Sequence, residues 1–523
     1  MAAPSATSRR SPTRRRWTSS ATFPPSAPER RAACADRKGN CRARSVPAAG
    51  ADAIIRAERA SVNARCIGRA PARREVMKIG YVGLGAMGGV LAERLLGQVD
   101  LTVLDLNQAA VARMVKGGAG QAESALALGR DVDVVLLCLP RSADVEKVIF
   151  GANGLTEGLS AGKLVIDQTS GIPGVTAEIA RRLSAKGVLM VDAPVAGGPP
   201  AAKAGMVTIM GSGPNEAWTL AEPVLRRISP KVFHISDRVG DGQAMKLVNN
   251  AIGAGYRVST LELAAVGRRF GLELGEISDR LNAGSAKNFT TKGMLAALVE
   301  GRSTTDFAMA LMVKDLNEAL ALAAAADTPS LMVAGARSIM QSTVNLFGKG
   351  AKLDDIIPMT ERLAAVSLAG PAEAEAEELA EGETSDQVAA TIEAAVDVCN
   401  QIIVCEWAAI GAGFGLSATA MSDAINAGSA WSTASERILP ALADGRLPNL
   451  PGTLATMTEC LRAARRLAAR AGVPLWLPSA ALSVIEAARN ELGPAANPGR
   501  LAEHFAKAAG IAPWTKARTA RPA

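Results

Sequence analysis

The chain has 523 residues, which is too long for a single hydrophobic core, so two or three domains are expected. Apolar residues make up 48% and charged residues 21%, as in globular proteins, and no long uncharged segment predicts a membrane span. Residues 1–76 hold 17 Lys and Arg against five Asp and Glu, which leaves 41 basic and 45 acidic residues elsewhere. The net charge of +8 therefore does not indicate a nucleic-acid surface.

The cysteine and histidine content excludes several kinds of site. The seven cysteines form no CxxC pair, and the only histidines are His234 and His504. Neither structural zinc nor a disulfide framework is expected, which favours a reducing, cytoplasmic location. Catalysis by histidine is also disfavoured, so lysine becomes the residue type to follow.

Residues 1–76 are rich in Arg, Ser, Ala and Pro and lack a sustained apolar period, so we expect a disordered basic extension. Three explanations compete: an organelle transit peptide, a basic interaction tail, or a segment read ahead of the true start. Because Met77 opens a strand directly (MKIGYVGLG), the third explanation is favoured. A genuine transit peptide would instead place the protein in an organelle matrix.

Residues 77–239 alternate short β-rich runs with stretches of helical length. The runs are KIGYVGLG, LTVLDL, VDVVLLCLP, KLVIDQTS, VLMVDAPV, VTIMGSG and KVFHIS. Most are continuously apolar, which is typical of a parallel sheet covered on both faces. We therefore predict an α/β Rossmann domain with a doubly wound, mainly parallel sheet.

The remaining sequence predicts two tandem all-α helical domains, over 240–369 and 386–510, because it is rich in Ala and Leu with helical periodicity. The acidic stretch 370–385 is interpreted as a linker or solvent-exposed helix. Thr384 followed by Gln387 is a candidate capping box for the second helical domain. The tail, 511–523, is expected to be loose.

The two helical domains share an internal repeat. Residues 261–286 and 405–430 match at 14 of 26 positions at an offset of 144, and an inserted residue later makes the offset 145. Three polar residues of the first copy are replaced in the second: Lys246 by Ala390, Asn250 by Ala394 and Lys314 by Glu459. We interpret the second copy as a degenerate packing partner, with a second ligand site or a lid as the alternative.

A glycine-rich turn predicts a dinucleotide site. The sequence GLGAMG (83–88) follows a strand and opens a helix, which suits a pyrophosphate at a helix N-terminus. Asp105 ends the second strand, 22 residues after Gly83. A carboxylate there accepts hydrogen bonds from ribose hydroxyls and repels a 2′-phosphate, so NAD is favoured over NADP.

Lys246 is the candidate catalytic residue. Asn250 follows it by four residues, which places both side chains on one helix face. Two strand-end segments are expected on the same side of the sheet: DQTSGIP, with Thr169 and Ser170, and DAPVAGG (192–198), whose backbone N–H groups suit a carboxylate. Lys314 lies on a later helix.

These motifs resemble the β-hydroxyacid dehydrogenase family, typified by 3-hydroxyisobutyrate dehydrogenase and related to 6-phosphogluconate dehydrogenase. The resemblance covers about 77–365 and depends on GLGAMG, DAPVAGG, GDGQAMKLVNN (240–250) and KDLNEA (314–319). It implies that Lys246 is the catalytic lysine and Asn250 orients the substrate. It further implies that the 197–198 turn binds the substrate and that Lys314 lines the site near the nicotinamide.

One position departs from the family pattern. The family usually has DAPVSGG, whereas Ala196 stands in place of the serine, and Lys287 is a candidate for a compensating charge. The predicted substrate-binding residues are Ala196, Gly197, Gly198, Thr169 and Lys287. The predicted cofactor-binding residues are Gly83, Leu84, Gly85, Ala86, Met87, Gly88, Asp105, Leu139, Pro140, Thr169 and Lys314.

The sequence therefore predicts NAD-dependent oxidation of a small 3-hydroxyacid, with Lys246 as general acid and base. Burial or a neighbouring cation such as Lys314 has to lower the lysine pKa for it to act as a base. The alternatives are oxidative decarboxylation of a phosphorylated sugar acid and a non-catalytic NAD-binding scaffold. We expect no metal, nucleic-acid or membrane partner, and either a monomeric pseudo-dimer or a homodimer through the helical domains.

Overall fold

The computed structural model describes residues 77–371, 376–512 and 514. The predictions for the basic extension and for most of the tail lie outside the described residues. The predicted domain boundaries remain predictions, although the change from strands to helices near residue 240 is evident in the element order.

The first part of the described chain contains a nine-stranded sheet with the order β3-β2-β1-β4-β5-β6-β8-β7, and β9 lies beside β8. Strands β1 to β6 all pair in parallel with one another, whereas β8 is antiparallel to β6 and β7. The strands are β1 (Lys78–Val82), β2 (Asp100–Leu104), β3 (Gly120–Gln121), β4 (Val134–Leu137), β5 (Leu164–Asp167), β6 (Leu189–Asp192), β7 (Val195–Ala196), β8 (Thr208–Ser212) and β9 (Val232–Ser236).

Helices cover both faces of this sheet, so the predicted α/β class with a mainly parallel sheet is confirmed. All four residues of β4 and of β5 are buried, which explains their continuously apolar sequences. Separate hydrophobic clusters lie on the two faces. The helices are α1 (Gly88–Glu93), α2 (Gln108–Lys116), α3 (Ala125–Asp131), α4 (Ser142–Phe150), α5 (Leu155–Gly158), α6 (Pro173–Ser184), α7 (Gly198–Lys203) and α8 (Asn215–Ile228).

The strand order reverses between β1 and β4, which defines the position of the site. From β1 the chain moves outward through β2 and β3, then returns to β4 on the opposite side of β1. In open α/β sheets, ligands bind beyond the carboxyl ends of the strands at such a switch point. The turn 83–88 and the segment after β4 both lie at this edge.

The rest of the chain is helical and forms two sets of helices that follow the same order. The first set contains α9 (Asp241–Arg269), α10 (Leu274–Ala283), a π-helical turn (Thr291–Leu295), α11 (Ala296–Val299), α12 (Met309–Ala325), α13 (Leu331–Phe347) and α14 (Ile356–Ala364). The second contains α15 (Ser385–Phe414), α16 (Ala418–Ala427), α17 (Thr433–Ala443), α18 (Leu454–Arg470), α19 (Leu477–Leu492) and α20 (Leu501–Ala508). Both sets share one hydrophobic core.

Reciprocal hydrogen bonds join the two sets. The Phe289 N–H donates to the Trp431 carbonyl at 3.0 Å, and the Thr433 N–H donates to the Lys287 carbonyl at 2.9 Å. Each residue in one bond has its counterpart 144 positions away in the other bond. The two copies of the repeat are therefore related by an approximate twofold operation, as in an isologous interface.

Two buried glutamates at equivalent positions follow the same pattern. Glu262 accepts hydrogen bonds from the backbone N–H groups of Trp476 and Leu477 at the start of α19. Glu406 accepts one from the Met332 N–H at the start of α13. Each long helix, α9 or α15, thus supplies an acceptor for unpaired N–H groups at a helix start in the other set.

Helix α15 is long and apolar, although it contains Glu393, Asp397 and Glu406. It has 30 residues, and by length and composition alone it qualifies as a membrane-crossing helix. Within its most apolar window, 67% of the residues are buried inside the fold, and α15 packs along α9, α17 and α18. Its apolar character therefore matches its position in the protein core.

Residues 376–380, in the segment before α15, form no helix, so the alternative of an exposed helix is wrong for them. Glu377 is tied to Arg269 at the end of α9 by a 2.7 Å ion pair and by a backbone hydrogen bond. The predicted capping box is confirmed: Thr384 and Gln387 exchange side chain–backbone hydrogen bonds where α15 begins.

Candidate active site

The glycine turn after β1 has the geometry of a pyrophosphate cradle. Gly83 has a φ of +98°, and a Cβ atom on Gly88 would lie 2.0 Å from the Gly83 carbonyl oxygen, so both positions require glycine. A Cβ on Gly85 would meet no atom within 4 Å, which leaves its backbone open to a ligand. The turn therefore fits a dinucleotide whose phosphates face the start of α1.

Asp105 lies against this turn, as the sequence predicts for a ribose-binding carboxylate. One carboxylate oxygen accepts a hydrogen bond from the Leu84 N–H, and the other accepts one from the Asn107 N–H at 2.6 Å. Asn107 in turn caps α2. The carboxylate is consequently held in a fixed orientation beside the cradle.

The segment after β4 is joined to the end of β5. The Leu139 N–H donates to the Thr169 hydroxyl at 3.0 Å, and Pro140 beside it is exposed. The side chain of Thr169 is buried, and its N–H donates to Asp167 at 2.9 Å. Leu139, Pro140 and Thr169 are therefore brought together at the edge where the cradle opens.

Asp192, at the end of β6, anchors the start of α9, a role that the sequence reasoning did not assign to it. Its carboxylate accepts hydrogen bonds from the Gly240 and Gln243 N–H groups, both at 2.7 Å. It also accepts one from the Ser212 hydroxyl, which itself accepts a hydrogen bond from the Gly242 N–H at 2.7 Å. A fully buried carboxyl group thus fixes the first turn of the helix that carries Lys246.

Lys246 is buried, with 8% of its surface exposed. The pKa of its side chain is lowered to about 8, chiefly by burial; Asp315 opposes this shift and the neighbouring Lys314 adds to it. The side chain therefore changes charge near physiological pH, as a group that exchanges protons with a substrate requires.

Lys314 connects the helical region to the edge of the sheet. Its ammonium group donates to the Ser170 carbonyl at 2.5 Å and lies 3.0 Å from Asp315. The structure thus places Lys314 beside Lys246 and the segment that follows β5, and its contact with the nicotinamide stays a prediction.

Asn250 is oriented by a partner that the sequence reasoning missed. Its amide group donates to Asp315 at 2.7 Å, and Asp315 is buried. Asn249 beside it donates to Asn250 and also, at 2.9 Å, to the hydroxyl of Ser429. Ser429 belongs to the second copy of NAGSA, so the second helical set contacts the residue next to the predicted catalytic pair.

The turn after β7 exposes backbone rather than the Ala196 side chain. Ala196 is buried in the hydrophobic cluster shared with Met245, whereas Gly197 and Gly198 are partly exposed. Both glycines have φ in the left-handed region, at +121° and +69°. Any substrate contact from Gly197 or Gly198 is therefore made by backbone groups, and a side-chain contact from Ala196 is not supported.

The backbone of Lys287 forms part of the contact between the two helical sets. Its carbonyl accepts the Thr433 N–H, and the nearby Ser285 lines a cavity beside α15. In the described part of the chain, no hydrogen bond or ion pair joins Lys287 to Lys246 or Asn250. Its role in substrate binding stays a prediction.

Sequence profiles match most of the described chain. The profile described as the NAD-binding domain of 6-phosphogluconate dehydrogenase matches residues 78–236. The profile described as the NAD-binding of NADP-dependent 3-hydroxyisobutyrate dehydrogenase matches residues 240–360 and again 387–504.

Curated relatives agree with the profiles. An L-threonate dehydrogenase of Cupriavidus necator is 33% identical over 282 residues, which span 94% of that protein and 53% of this chain. The chain belongs to the β-hydroxyacid dehydrogenase family. A 2-(hydroxymethyl)glutarate dehydrogenase of Eubacterium barkeri is 31% identical over 98% of its length and 56% of this chain. These family members span about half of the chain.

A solved structure shares the fold over a longer range. The 6-phosphogluconate dehydrogenase of Plasmodium falciparum superposes on 79% of this chain and 94% of its own, with a TM-score of 0.59 and 14% identity. At that identity the similarity shows the fold alone. The profiles and relatives identify an NAD(P)-dependent hydroxyacid dehydrogenase, and the solved structure matches its fold of a Rossmann domain followed by helices.

Proposed function

We propose that the protein oxidises a small 3-hydroxyacid with NAD, and that Lys246 acts as the general base. The observation that carries this proposal is the buried Lys246 side chain, with a pKa near 8, beside Lys314 and Asp315. A solvent-exposed lysine would remain protonated and could not accept a proton at neutral pH. Asn250, one turn along the same helix, is fixed by Asp315 for substrate contact.

Each residue has a distinct task in this mechanism. Bound NAD supplies the hydride acceptor. Lys246 accepts the hydroxyl proton as the alcohol becomes a carbonyl, and in reduction its ammonium form returns that proton. Asn250 holds the hydroxyl in place, and backbone N–H groups at Gly197 and Gly198 bind the substrate carboxylate. Burial of the lysine excludes water from the proton transfer.

The preference for NAD over NADP rests on Asp105. Its carboxylate is fixed beside the glycine turn by the Leu84 and Asn107 N–H groups. A 2′-phosphate placed there would bring two negative charges together, while unmodified ribose hydroxyls donate hydrogen bonds to the carboxylate. We therefore expect a higher kcat/KM with NAD.

Substrate oxidation tests the proposal directly. The purified protein is incubated with 3-hydroxyisobutyrate, threonate, glycerate or 3-hydroxypropionate, and with NAD or NADP, and NADH or NADPH formation is followed by absorbance. We expect turnover of at least one 3-hydroxyacid, and faster turnover with NAD. Lactate, whose hydroxyl is adjacent to the carboxylate, is the control. A folded protein that binds NAD but oxidises none of the 3-hydroxyacids would contradict the proposal.

A further inference from the structure

A cavity of about 240 Å³ lies beside α15, and none of the predicted catalytic, substrate-binding or cofactor-binding residues lines it. One wall is a stripe of α15, and further walls come from α18 and from the segment that contains Ser285. Pockets for drug-sized ligands measure roughly 300–1,000 Å³, so this cavity suits a smaller molecule.

The cavity occupies the place in the second helical set that corresponds to the predicted catalytic pair in the first. Ala390 and Ala394 line it, and they lie 144 positions after Lys246 and Asn250. Two methyl groups thus stand where the first set has a lysine and an asparagine side chain. The degenerate copy therefore has an open space on the helix face that carries the catalytic pair in the other copy.

The degenerate copy has also gained carboxylates on this face. Asn249 and Gly253 of α9 correspond to Glu393 and Asp397 of α15, so two uncharged positions of the first copy are acidic in the second. Both carboxylates line the cavity. Loss of a catalytic lysine accounts for a missing cation, but it does not account for two added anions. The exchange favours a ligand with a positive charge.

Asp397 is the carboxylate of this cavity that lacks an ion pair. Glu393 is paired with Arg280 at 3.0 Å, whereas no ion pair joins Asp397 to a cation in the described part of the chain. Burial raises the pKa of Asp397 above its usual value, while hydrogen bonds and the charge of Arg437 oppose the shift. A cation bound beside Asp397 would stabilise its charged form.

Gln401 lines the same cavity and carries an acceptor without a donor. Its side chain is 5% exposed, and its amide nitrogen donates to the Asp397 carboxylate at 3.0 Å. Because an ionised carboxylate only accepts hydrogen bonds, this contact fixes which amide atom faces Asp397. The other atom, Oε1, has no hydrogen-bond partner among the described residues. A buried acceptor of this kind is unfavourable, and an N–H donor from a ligand would relieve the cost.

The lining favours an organic ammonium group over a metal ion. Within the residues that the structure describes, no group of His, Cys, Asp and Glu side chains is arranged to hold a metal. An ammonium group has three N–H donors, which can reach a carboxylate and an amide oxygen at the same time. Val398 and Met457 supply apolar lining, which suits a short hydrocarbon chain.

We propose that this cavity binds a small primary alkylamine, with its ammonium group beside Asp397 and Gln401. The ammonium group donates to the Asp397 carboxylate and to Gln401 Oε1, and the alkyl chain contacts Val398 and Met457. Because the cavity lies apart from the predicted catalytic residues, this binding does not depend on the proposed dehydrogenase activity.

An alkylamine series tests the proposal. The full chain is titrated by calorimetry at pH 7.5 and constant ionic strength with n-propylamine to n-hexylamine, and with the uncharged alcohol of each length. Potassium and magnesium chloride are titrated in parallel. We expect saturable binding of at least one amine, with an affinity roughly tenfold or more above that of its alcohol, because the alcohol forms no charge-assisted hydrogen bonds. Equal binding of amine and alcohol, saturation by either metal ion, or no saturable binding of any amine would overturn the proposal.

Variants locate the bound amine. Asp397→Asn should weaken amine binding by at least tenfold, and Ala394→Leu, which fills the cavity, should abolish it. Asp423→Asn, at an exposed position, and Lys246→Met, in the candidate active site, should both retain it. The thermal midpoint of each variant without amine checks its folding. Unchanged binding in Ala394→Leu, or loss of binding in Lys246→Met, would place the amine elsewhere and refute the assignment.

Discussion

Lys246 is held between opposing charges on one neighbouring helix. Lys314 lowers the pKa of its side chain and Asp315 raises it, in addition to the larger effect of burial. Because the two neighbours are adjacent on α12 and act in opposite directions, their substitutions form a matched pair. The direction in which each substitution shifts the pH profile distinguishes a lysine that titrates during catalysis from one that only packs in the core.

Removing each neighbour should shift the pH profile in opposite directions. Lys314→Met removes a cation and should raise the pH at which kcat/KM for alcohol oxidation reaches half of its maximum. Asp315→Asn removes an anion, keeps an acceptor for Asn250, and should lower that pH. The measurement is kcat/KM between pH 6 and 10, with Glu318→Gln on the same helix as the control. Shifts in the same direction would contradict the assignment of Lys246 as the titrating base.

At the scale of secondary-structure elements, the second copy of NAGSA contacts the helix that carries the candidate active site. Ser429 accepts a hydrogen bond from Asn249, and the Ala427 carbonyl accepts one from Thr208 of β8 at 2.8 Å. The equivalent Ser285 of the first copy lines the cavity beside α15. The two copies have thus kept similar sequences while facing different surroundings.

Ser429→Ala should reduce activity with little effect on folding. The substitution leaves one donor of Asn249 without its acceptor, and displacement of the adjacent Asn250 should then lower kcat by two- to tenfold, or about 0.4–1.4 kcal/mol of transition-state stabilisation. Ser285→Ala is the matched control and should keep wild-type kcat. The measurement is kcat together with the thermal unfolding midpoint. A wild-type kcat in Ser429→Ala would refute the contribution of the second copy.

The strands and helices differ in how well they could be predicted from the sequence. Continuous apolar runs such as those of β4 and β5 predicted the parallel sheet, and the glycine turn predicted the cradle, because both signals are local. The antiparallel direction of β8 has no local signal. The contact between Asn249 and Ser429 joins residues 180 positions apart and depends on how the two helical sets pack.

The sequence nevertheless contained a signal for some of the site residues that the sequence reasoning missed. Asn249 adjoins Asn250 in the sequence, and NAGSA is one of the segments that both copies preserve. Asp315 lies next to Lys314 in one of the family motifs, but which of its neighbours it orients depends on the crossing of α9 and α12. Sequence identifies such residues as candidates, whereas packing assigns their partners.

At the scale of the whole molecule, two helical sets are held together by symmetric buried groups. Glu262 and Glu406 occupy equivalent positions, and burial raises the pKa of each carboxyl group to about 8. In the unfolded chain their pKa returns to about 4.5. Their contribution to stability is thus fully present below pH 4.5 and is lost as the pH rises through 8.

Neutral substitutions should flatten this pH dependence. The thermal midpoint of the wild-type protein should decrease as the pH rises from 5 to 8, because in this range the folded state keeps protons that the unfolded state has released. Glu262→Gln and Glu406→Gln should each reduce that fall, and the double variant should reduce it further. Glu123→Gln, at an exposed position, is the control. An unchanged slope in the double variant would show that these carboxyl groups are ionised in the folded protein.

The whole account depends on proton transfer at one buried amine, which substitution of Lys246 tests most directly. The measurement is kcat/KM for 3-hydroxyacid oxidation by Lys246→Met across pH 6 to 10, with NAD affinity measured in parallel. We predict a loss of about 10²- to 10⁴-fold, unchanged NAD affinity and no inflection near pH 8. Turnover within a few-fold of wild type, with the inflection retained, would contradict the central claim.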